Sequence, residues 1–121
     1  MPLFFTVLKP LPKIYLKEKI NIMAKYRRSL KRLLIDKSGN YNAEGCNTYS
    51  IHNNGNTIVV IDGVLDLLPF DQWEGPNENP EIIDFSDIDI TFKNEVYNPG
   101  GQSTVPIDKR VIITKTFVSP L

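Results

Sequence analysis

The stretch that decides the fold is Asn53-Asn54-Gly55-Asn56-Thr57-Ile58-Val59-Val60-Ile61, in which a turn signal leads into a β-rich run. A two-residue hairpin turn of the primed type requires positive φ at its central residues, which Asn54 tolerates and Gly55 adopts freely. Residues 48–52 alternate bulky and polar side chains, as a strand does. We therefore predict a hairpin between residues 48–52 and 57–61, with its second, apolar arm in the interior of a sheet.

Other segments show the same β character. Asp62-Gly63 is a second tight-turn signal, followed by a short strand at residues 64–68 that Pro69 ends. Residues 82–93 show the clearest alternation, and residues 110–118 are rich in β-branched side chains. Short strands separated by Gly, Asn and Pro predict a mainly β fold, a small antiparallel β-sandwich or barrel.

The charges divide the chain into two halves of opposite sign. Residues 1–40 hold ten Lys and Arg against two acidic residues, a net charge of +8, whereas residues 41–121 hold four against twelve, a net charge of −8. Such asymmetry is typical of a basic arm that leaves the body of a protein to meet an anionic partner. We predict a basic amino-terminal arm with a possible helix over residues 1–40 and a β-sandwich body over residues 41–121.

Residues 17–37 are compatible with two periodicities. Their apolar side chains fall near helical spacing, with most of the basic side chains on the opposite side. As a strand, Tyr26, Leu30 and Leu34 would instead share a face with two arginines. We favour the helix, ended by Ser38-Gly39-Asn40 with Gly39 in the left-handed conformation.

Four basic side chains stand close together beside Tyr26, namely Arg27, Arg28, Lys31 and Arg32. Side chains of this kind bind phosphates with strong salt dependence, so the segment 25–32 is a candidate nucleic-acid contact. The acidic remainder of the chain would repel a nucleic-acid backbone. The same four residues are therefore also a candidate interface with a protein.

The residue types needed for catalysis or metal binding are sparse. The one cysteine, Cys46, excludes an intramolecular disulfide and a cysteine metal cluster, and favours a reducing compartment. A nucleophilic pair of Cys46 with His52 would need the two side chains within hydrogen-bond reach and a third group to orient them, and we favour ordinary core or hairpin roles for both residues. Asp84, Asp87 and Asp89 are candidate Ca²⁺ ligands, but they lack the pattern of a helix-loop-helix calcium loop, and we favour a solvated acidic strand face. We predict no enzyme activity and no cofactor.

Four aromatic side chains are candidate interface anchors. Phe4 and Phe5 lie in a short apolar segment ahead of Pro10 and Pro12, and Phe70 and Trp73 are the large apolar residues of a polar loop at 70–80. Trp73 and Phe70 could instead fold back and cap the sandwich. Met23 is a possible alternative translation start, and we recognise neither a signal peptide nor a membrane span.

Taken together, these features resemble small structural proteins of bacterial viruses, such as capsid, connector or decoration subunits. The resemblance lies in the basic, proline-bearing arm, in Asp62-Gly63-Val64-Leu65 leading into Leu68-Pro69, and in the polar loop that contains a tryptophan. It implies a non-enzymatic structural or assembly protein that is assembled into a virion in the host cytoplasm. It also implies an oligomer in which the arm binds a neighbouring subunit, self or another virion protein. The alternative is a small nucleic-acid-associated protein that uses segment 25–32.

Overall fold

The computed structural model describes residues 26–101 and 105–121. Residues Ser29–Val118 form one compact unit, and the described residues contain strands and no helix. The strands are β1 (Tyr26–Ile35), β2 (Gly39–Asn42), β3 (Thr48–Asn53), β4 (Val59–Ile61), β5 (Leu65–Leu67), β6 (Gln72–Glu74), β7 (Asp87–Phe92) and β8 (Val111–Pro120).

The strands form two antiparallel sheets of four strands each. The first sheet has the order β1-β8-β3-β6 and the second has the order β2-β7-β4-β5. In the first sheet, Ile51 of β3 lies opposite Trp73 on one side and Ile113 on the other. In the second, Ile61 of β4 lies between Leu65 and Ile90. The prediction of a mainly β, sandwich-like fold is therefore confirmed.

The hydrophobic core is built from alternate positions of strands in both sheets. The alternation in β7 is regular, because Ile88, Ile90 and Phe92 are buried while Asp87 and Asp89 are exposed. The buried cluster comprises Ile35, Ile51, Val59, Ile61, Leu67, Ile88, Ile90, Phe92, Val111 and Ile113. The period-2 pattern read from the sequence thus identifies the core face of β7.

The predicted hairpin at Asn54-Gly55 is wrong. Its two arms are β3 and β4, which lie in different sheets, so residues 54–58 carry the chain across the sandwich. Neither Asn54 nor Gly55 has the positive φ that a primed turn requires. The prediction that the second arm is an interior strand is confirmed, because β4 pairs with both β5 and β7.

Asn53 explains why the chain crosses between the sheets here. Its side chain is fully buried, and Nδ2 donates to the carbonyls of Thr57 at 2.8 Å and Leu67 at 2.9 Å. Its Oδ1 accepts a hydrogen bond from the backbone N–H of Gly55 at 3.1 Å. Because Leu67 belongs to the second sheet, Asn53 joins the end of β3 to that sheet. It also supplies hydrogen-bond partners to the backbone groups of Gly55 and Thr57, which lie in the segment that crosses between the sheets.

The second turn signal, Asp62-Gly63, forms the tight hairpin between β4 and β5. Asp62 has a φ of 52° and Gly63 a φ of 72°, and the N–H of Val64 donates to the carbonyl of Ile61 at 3.1 Å. Positive φ at both central residues is the requirement of a primed two-residue turn. This prediction is confirmed.

The predicted helix over residues 17–37 is wrong for the described part of that range, which is strand β1. Gly39 is not a helix cap but the first residue of β2, opposite Ile90. Helical spacing of apolar residues is a weak local preference, and β1 gains its backbone partners from a sheet formed with distant parts of the chain. The described residues 29–40, assigned to the arm by sequence, thus lie within the compact unit.

Candidate binding surfaces

The basic residues of β1 do not share one face. Successive side chains of a strand point to opposite sides, so Arg28 and Arg32 lie on one side and Arg27 and Lys31 on the other. A helix would have gathered most of them on one side. The strand therefore divides the charge that sequence analysis treated as a single cluster.

The outward side of β1 combines apolar and basic groups. Leu30 is 49% exposed and Leu34 is 64% exposed, with exposed Arg32 between them. Ile35, on the opposite side, is buried in the core. We call Leu30, Arg32 and Leu34 the β1 strip. Exposed apolar side chains on a strand promote association with other chains, and natural proteins usually avoid them unless a partner covers them.

Lys31 forms an ion pair with Glu44, which lies in the segment between β2 and β3. Its Nζ lies 3.3 Å from Oε2 of Glu44, and Nζ of Lys115 lies 2.7 Å from Oε1 of the same carboxylate. Glu44 has a φ of 59°, and its N–H donates to Oδ1 of Asn42 at 2.7 Å. The hydrogen bond from Lys115, together with that from Lys31, lowers the pKa of Glu44.

Lys115 is the group that sequence analysis missed. It occupies an inward position of β8, two residues after buried Ile113, and its side chain is 1% exposed. Its ammonium also donates to the carbonyl of Asn42 at 2.7 Å. The signal was present in the sequence, because alternation along residues 111–115 places this lysine on the same face as Val111 and Ile113.

A second exposed apolar group lies on the loop between β6 and β7. Ile82, Ile83 and Phe85 are all more than half exposed. The backbone beneath them is held firmly, since Nδ2 of buried Asn47 donates to the carbonyl of Ile82 at 2.8 Å. Phe85 packs so closely on Gly45 that a Cβ there would lie 2.9 Å from its ring.

The candidate aromatic anchors have different environments. Phe70 is 76% exposed and has a φ of 69°. Trp73 lies in β6 and packs partly buried against the core, where its ring centroid is 5.1 Å from that of Tyr49. Trp73 thus packs onto the core, whereas the side chain of Phe70 stays exposed. Phe4 and Phe5 lie outside the described residues.

A cleft of about 210 Å³ opens between the two sheets beside Trp73. Tyr49 and Trp73 come from the first sheet, and Ile61 and Leu65 from the second. The remaining lining residues are Ile51, Asp62 and Val64. We call this the aromatic cleft. Burial, followed by the negative charges of Asp84 and Asp62, raises the pKa of the Tyr49 phenol.

The other candidate sites are not assembled by the fold. Cys46 is buried just before β3 and His52 lies near the far end of that strand, about 20 Å away at the usual rise per residue. Asp84 accepts hydrogen bonds from Ser86, and Asp87 accepts one from Asn42 at 2.9 Å. Across residues 26–101 and 105–121, no three His, Cys, Asp or Glu side chains are placed to hold a metal ion.

Within the described ranges there is no helix long and apolar enough to cross a membrane. Comparison of the chain with protein family models, with curated proteins and with solved structures found no match.

Proposed function

We propose that the protein is a non-enzymatic structural or assembly subunit, a virion component that binds neighbouring subunits through its amino-terminal segment, β1 included. The observation that carries this proposal is the β1 strip, in which Leu30 and Leu34 are exposed on either side of Arg32. Exposed alternating apolar residues on a strand are typical of a surface that a partner covers.

The energetics favour a protein partner for the β1 strip. Burying a leucine side chain contributes about 1.5–3 kcal/mol, before the costs of association are subtracted. Arg32, between the two leucines, adds a planar cation of the kind that is enriched at protein interfaces. The surface area of the β1 strip is small compared with that of a stable protein–protein interface. We therefore expect it to form one contact within a larger assembly and not a complete interface.

The division of charge along β1 argues against the nucleic-acid alternative. Only Arg28 and Arg32 lie on the side of the β1 strip, and Lys31 is engaged with Glu44. A phosphate backbone binds best to a continuous basic surface. A titration of double-stranded DNA in 20 mM and 200 mM salt tests this directly, and saturable binding that weakens steeply with salt would support the alternative instead.

The proposed contact is tested by the double variant L30S/L34S. Its mass should be measured by multi-angle light scattering over a wide concentration range, beside the wild type. We expect the wild type to form a discrete oligomer and the variant to shift toward the monomer. The matched control is Ile107→Ser, because Ile107 is also 49% exposed but lies in the segment before β8.

A deletion tests the role of the first part of the arm. A chain without residues 1–22 should lose its place in assembled particles, as measured by mass spectrometry of purified particles. Unchanged assembly of both this deletion and L30S/L34S would reject the proposal. Circular dichroism of each variant excludes loss of fold as the cause of a lower mass.

A further inference from the structure

Two aromatic residues, Tyr49 and Trp73, line the aromatic cleft next to each other. The rings of Tyr49 and Trp73 are inclined by 41° to each other, so they form a wedge and not a flat stack. Both residues are only partly buried, although they pack against the core. The cleft is smaller than the pockets of about 300–1,000 Å³ that hold drug-sized ligands. Its volume therefore suits a single side chain.

Asp62, one of the residues that line this cleft, has its carboxylate held in a fixed position. The N–H of Asp62 donates to the carbonyl of Asp89 at 2.8 Å, and Oδ1 of Asp62 accepts from the N–H of Asp89 at 2.9 Å. These two bonds lock the turn that carries Asp62 onto β7. Its Oδ2 has no hydrogen-bond partner among the described residues. One oxygen of a rigidly held carboxylate is thus available to a ligand.

Aromatic faces beside a carboxylate favour a cation. A guanidinium binds over Trp or Tyr within about 6 Å of the ring centroid, and it also pairs with carboxylate oxygens. The part of the chain that forms the cleft is negatively charged like the Asp62 carboxylate, since residues 41–121 carry a net charge of −8. An uncharged apolar side chain would gain the ring contact but would leave the carboxylate without a partner.

We propose that the aromatic cleft binds an arginine side chain of β1 from a second copy of this chain. Arg32 of the β1 strip is exposed, and residues 1–40 carry a net charge of +8 against −8 for the remainder of the chain. A contact between β1 of one copy and the cleft of the next joins different surfaces, so it builds a ring or a linear array. The identity of the partner rests on the proposed assembly function.

The cleft can be tested apart from assembly, because Trp73 is the one tryptophan of the chain. Its fluorescence should change saturably on titration with N-acetyl-arginine amide, with a Kd on the order of a few millimolar for so small a ligand. The neutral isostere N-acetyl-citrulline amide should bind at least tenfold more weakly. Equal binding of the two compounds, or stronger binding of N-acetyl-leucine amide or methyl glucoside, would overturn the assignment of a cation.

The role of the carboxylate is tested by Asp62→Asn. Asn tolerates positive φ and keeps an oxygen that can accept from Asp89, so the turn should be retained. We expect this variant to bind N-acetyl-arginine amide five- to tenfold more weakly. The matched control is Asp66→Asn, a neighbouring acidic residue of β5 that does not line the cleft, and it should stay within twofold of the wild type. Equal loss in both variants would reject a specific role for Asp62.

Light scattering then tests the second copy as the source of the arginine. Asp62→Asn and Arg32→Gln should each lower the mean mass, and the double variant should lower it no further than either single variant. A mass lowered by L30S/L34S but unaffected by Asp62→Asn would reject the cleft contact while leaving the proposed function in place. If the wild-type chain does not self-associate and yet binds N-acetyl-arginine amide, a second copy is rejected as the source of the arginine side chain.

Discussion

Lys115 and Glu44 form an ion pair in which one partner is buried and the other is exposed. The side chain of Lys115 is 1% exposed, and its Nζ lies 2.7 Å from Oε1 of Glu44, whose side chain is 49% exposed. The lysine side chain, ammonium included, is thus buried, and the exposed Glu44 carboxylate neutralises its charge.

The two partners should respond differently to substitution. Glu44→Gln leaves a buried ammonium without its counter-charge, so we expect a lower free energy of unfolding at pH 7. Lys115→Met removes the buried charge and fills the same space, so we expect stability within about 1 kcal/mol of the wild type, or above it. Urea unfolding at pH 7 measures both. A larger loss for Lys115→Met than for Glu44→Gln would contradict this account.

The same pair makes stability depend on pH in a defined direction. The pKa of Glu44 is lower in the folded chain than its ordinary value of 4.5, so the folded state favours the carboxylate. The contribution of ionised Glu44 to the free energy of unfolding is therefore complete above pH 4.5 and is lost as the pH falls through the pKa of the folded chain. We expect the stability difference between wild type and Glu44→Gln to shrink below about pH 4.5, and this dependence to weaken in a Lys115→Met background.

Asn53 should be far more important for stability than its neighbour Asn54. Asn53→Ala removes three hydrogen bonds and leaves buried backbone groups unpaired, which we expect to cost about 2–4 kcal/mol. Asn54→Ala should stay within about 0.5 kcal/mol, because no hydrogen bond from its side chain is seen among the described residues. Chemical denaturation of both variants gives the comparison, and a greater loss for Asn54→Ala would contradict the structural role assigned to Asn53.

Two glycines should resist substitution for different reasons. A Cβ on Gly55 would lie 2.3 Å from the carbonyl oxygen of Asp108, so Gly55→Ala forces backbone apart and should cost about 3 kcal/mol or more. A Cβ on Gly63 meets nothing within 4 Å, but the φ of 72° is strained for alanine by about 1–2 kcal/mol. Thermal unfolding should therefore rank Gly55→Ala as the more damaging. The reverse order would contradict the packing at Gly55.

Cys46 should be protected from alkylation until the chain unfolds. Its thiol is fully buried, and burial together with the charge of Asp84 raises its pKa, so little reactive thiolate forms near neutral pH. We expect iodoacetamide to label the native protein about 100-fold more slowly than the urea-unfolded chain. Mass spectrometry over time measures both labelling rates. Fast labelling of the native protein at pH 7.5 would show that the segment around Cys46 opens readily.

Much of the β architecture could be predicted from the sequence. The two turn signals show that the pairing of the strands could not. Asp62-Gly63 forms the predicted hairpin because its flanking strands are adjacent in one sheet. Asn54-Gly55 has an equally favourable composition, yet the flanking strands lie in different sheets and Gly55 is required for close packing. Turn propensity is local, whereas sheet membership depends on pairing with distant strands.

The candidate site was predictable to a smaller extent. The basic character of residues 27–32 follows from composition, whereas the exposure of Phe70 does not, because a phenylalanine in a polar loop can equally fold back onto the core. The meeting of Tyr49, Trp73 and Asp62 does not, because the three residues come from separate elements brought together by the sandwich. The pair of Lys115 with Glu44 spans 71 residues of chain and is invisible to any local pattern.

The sequence by itself determined the strand-rich character, the core face of β7 and the opposite charges of the two halves, since period-2 burial and net charge are properties of local composition. Only the tertiary structure decided that β3 and β4 belong to different sheets, that residues 26–35 are a strand, and that the aromatic cleft exists. These features depend on long-range pairing, which supplies backbone hydrogen bonds and buried area that no single segment contains.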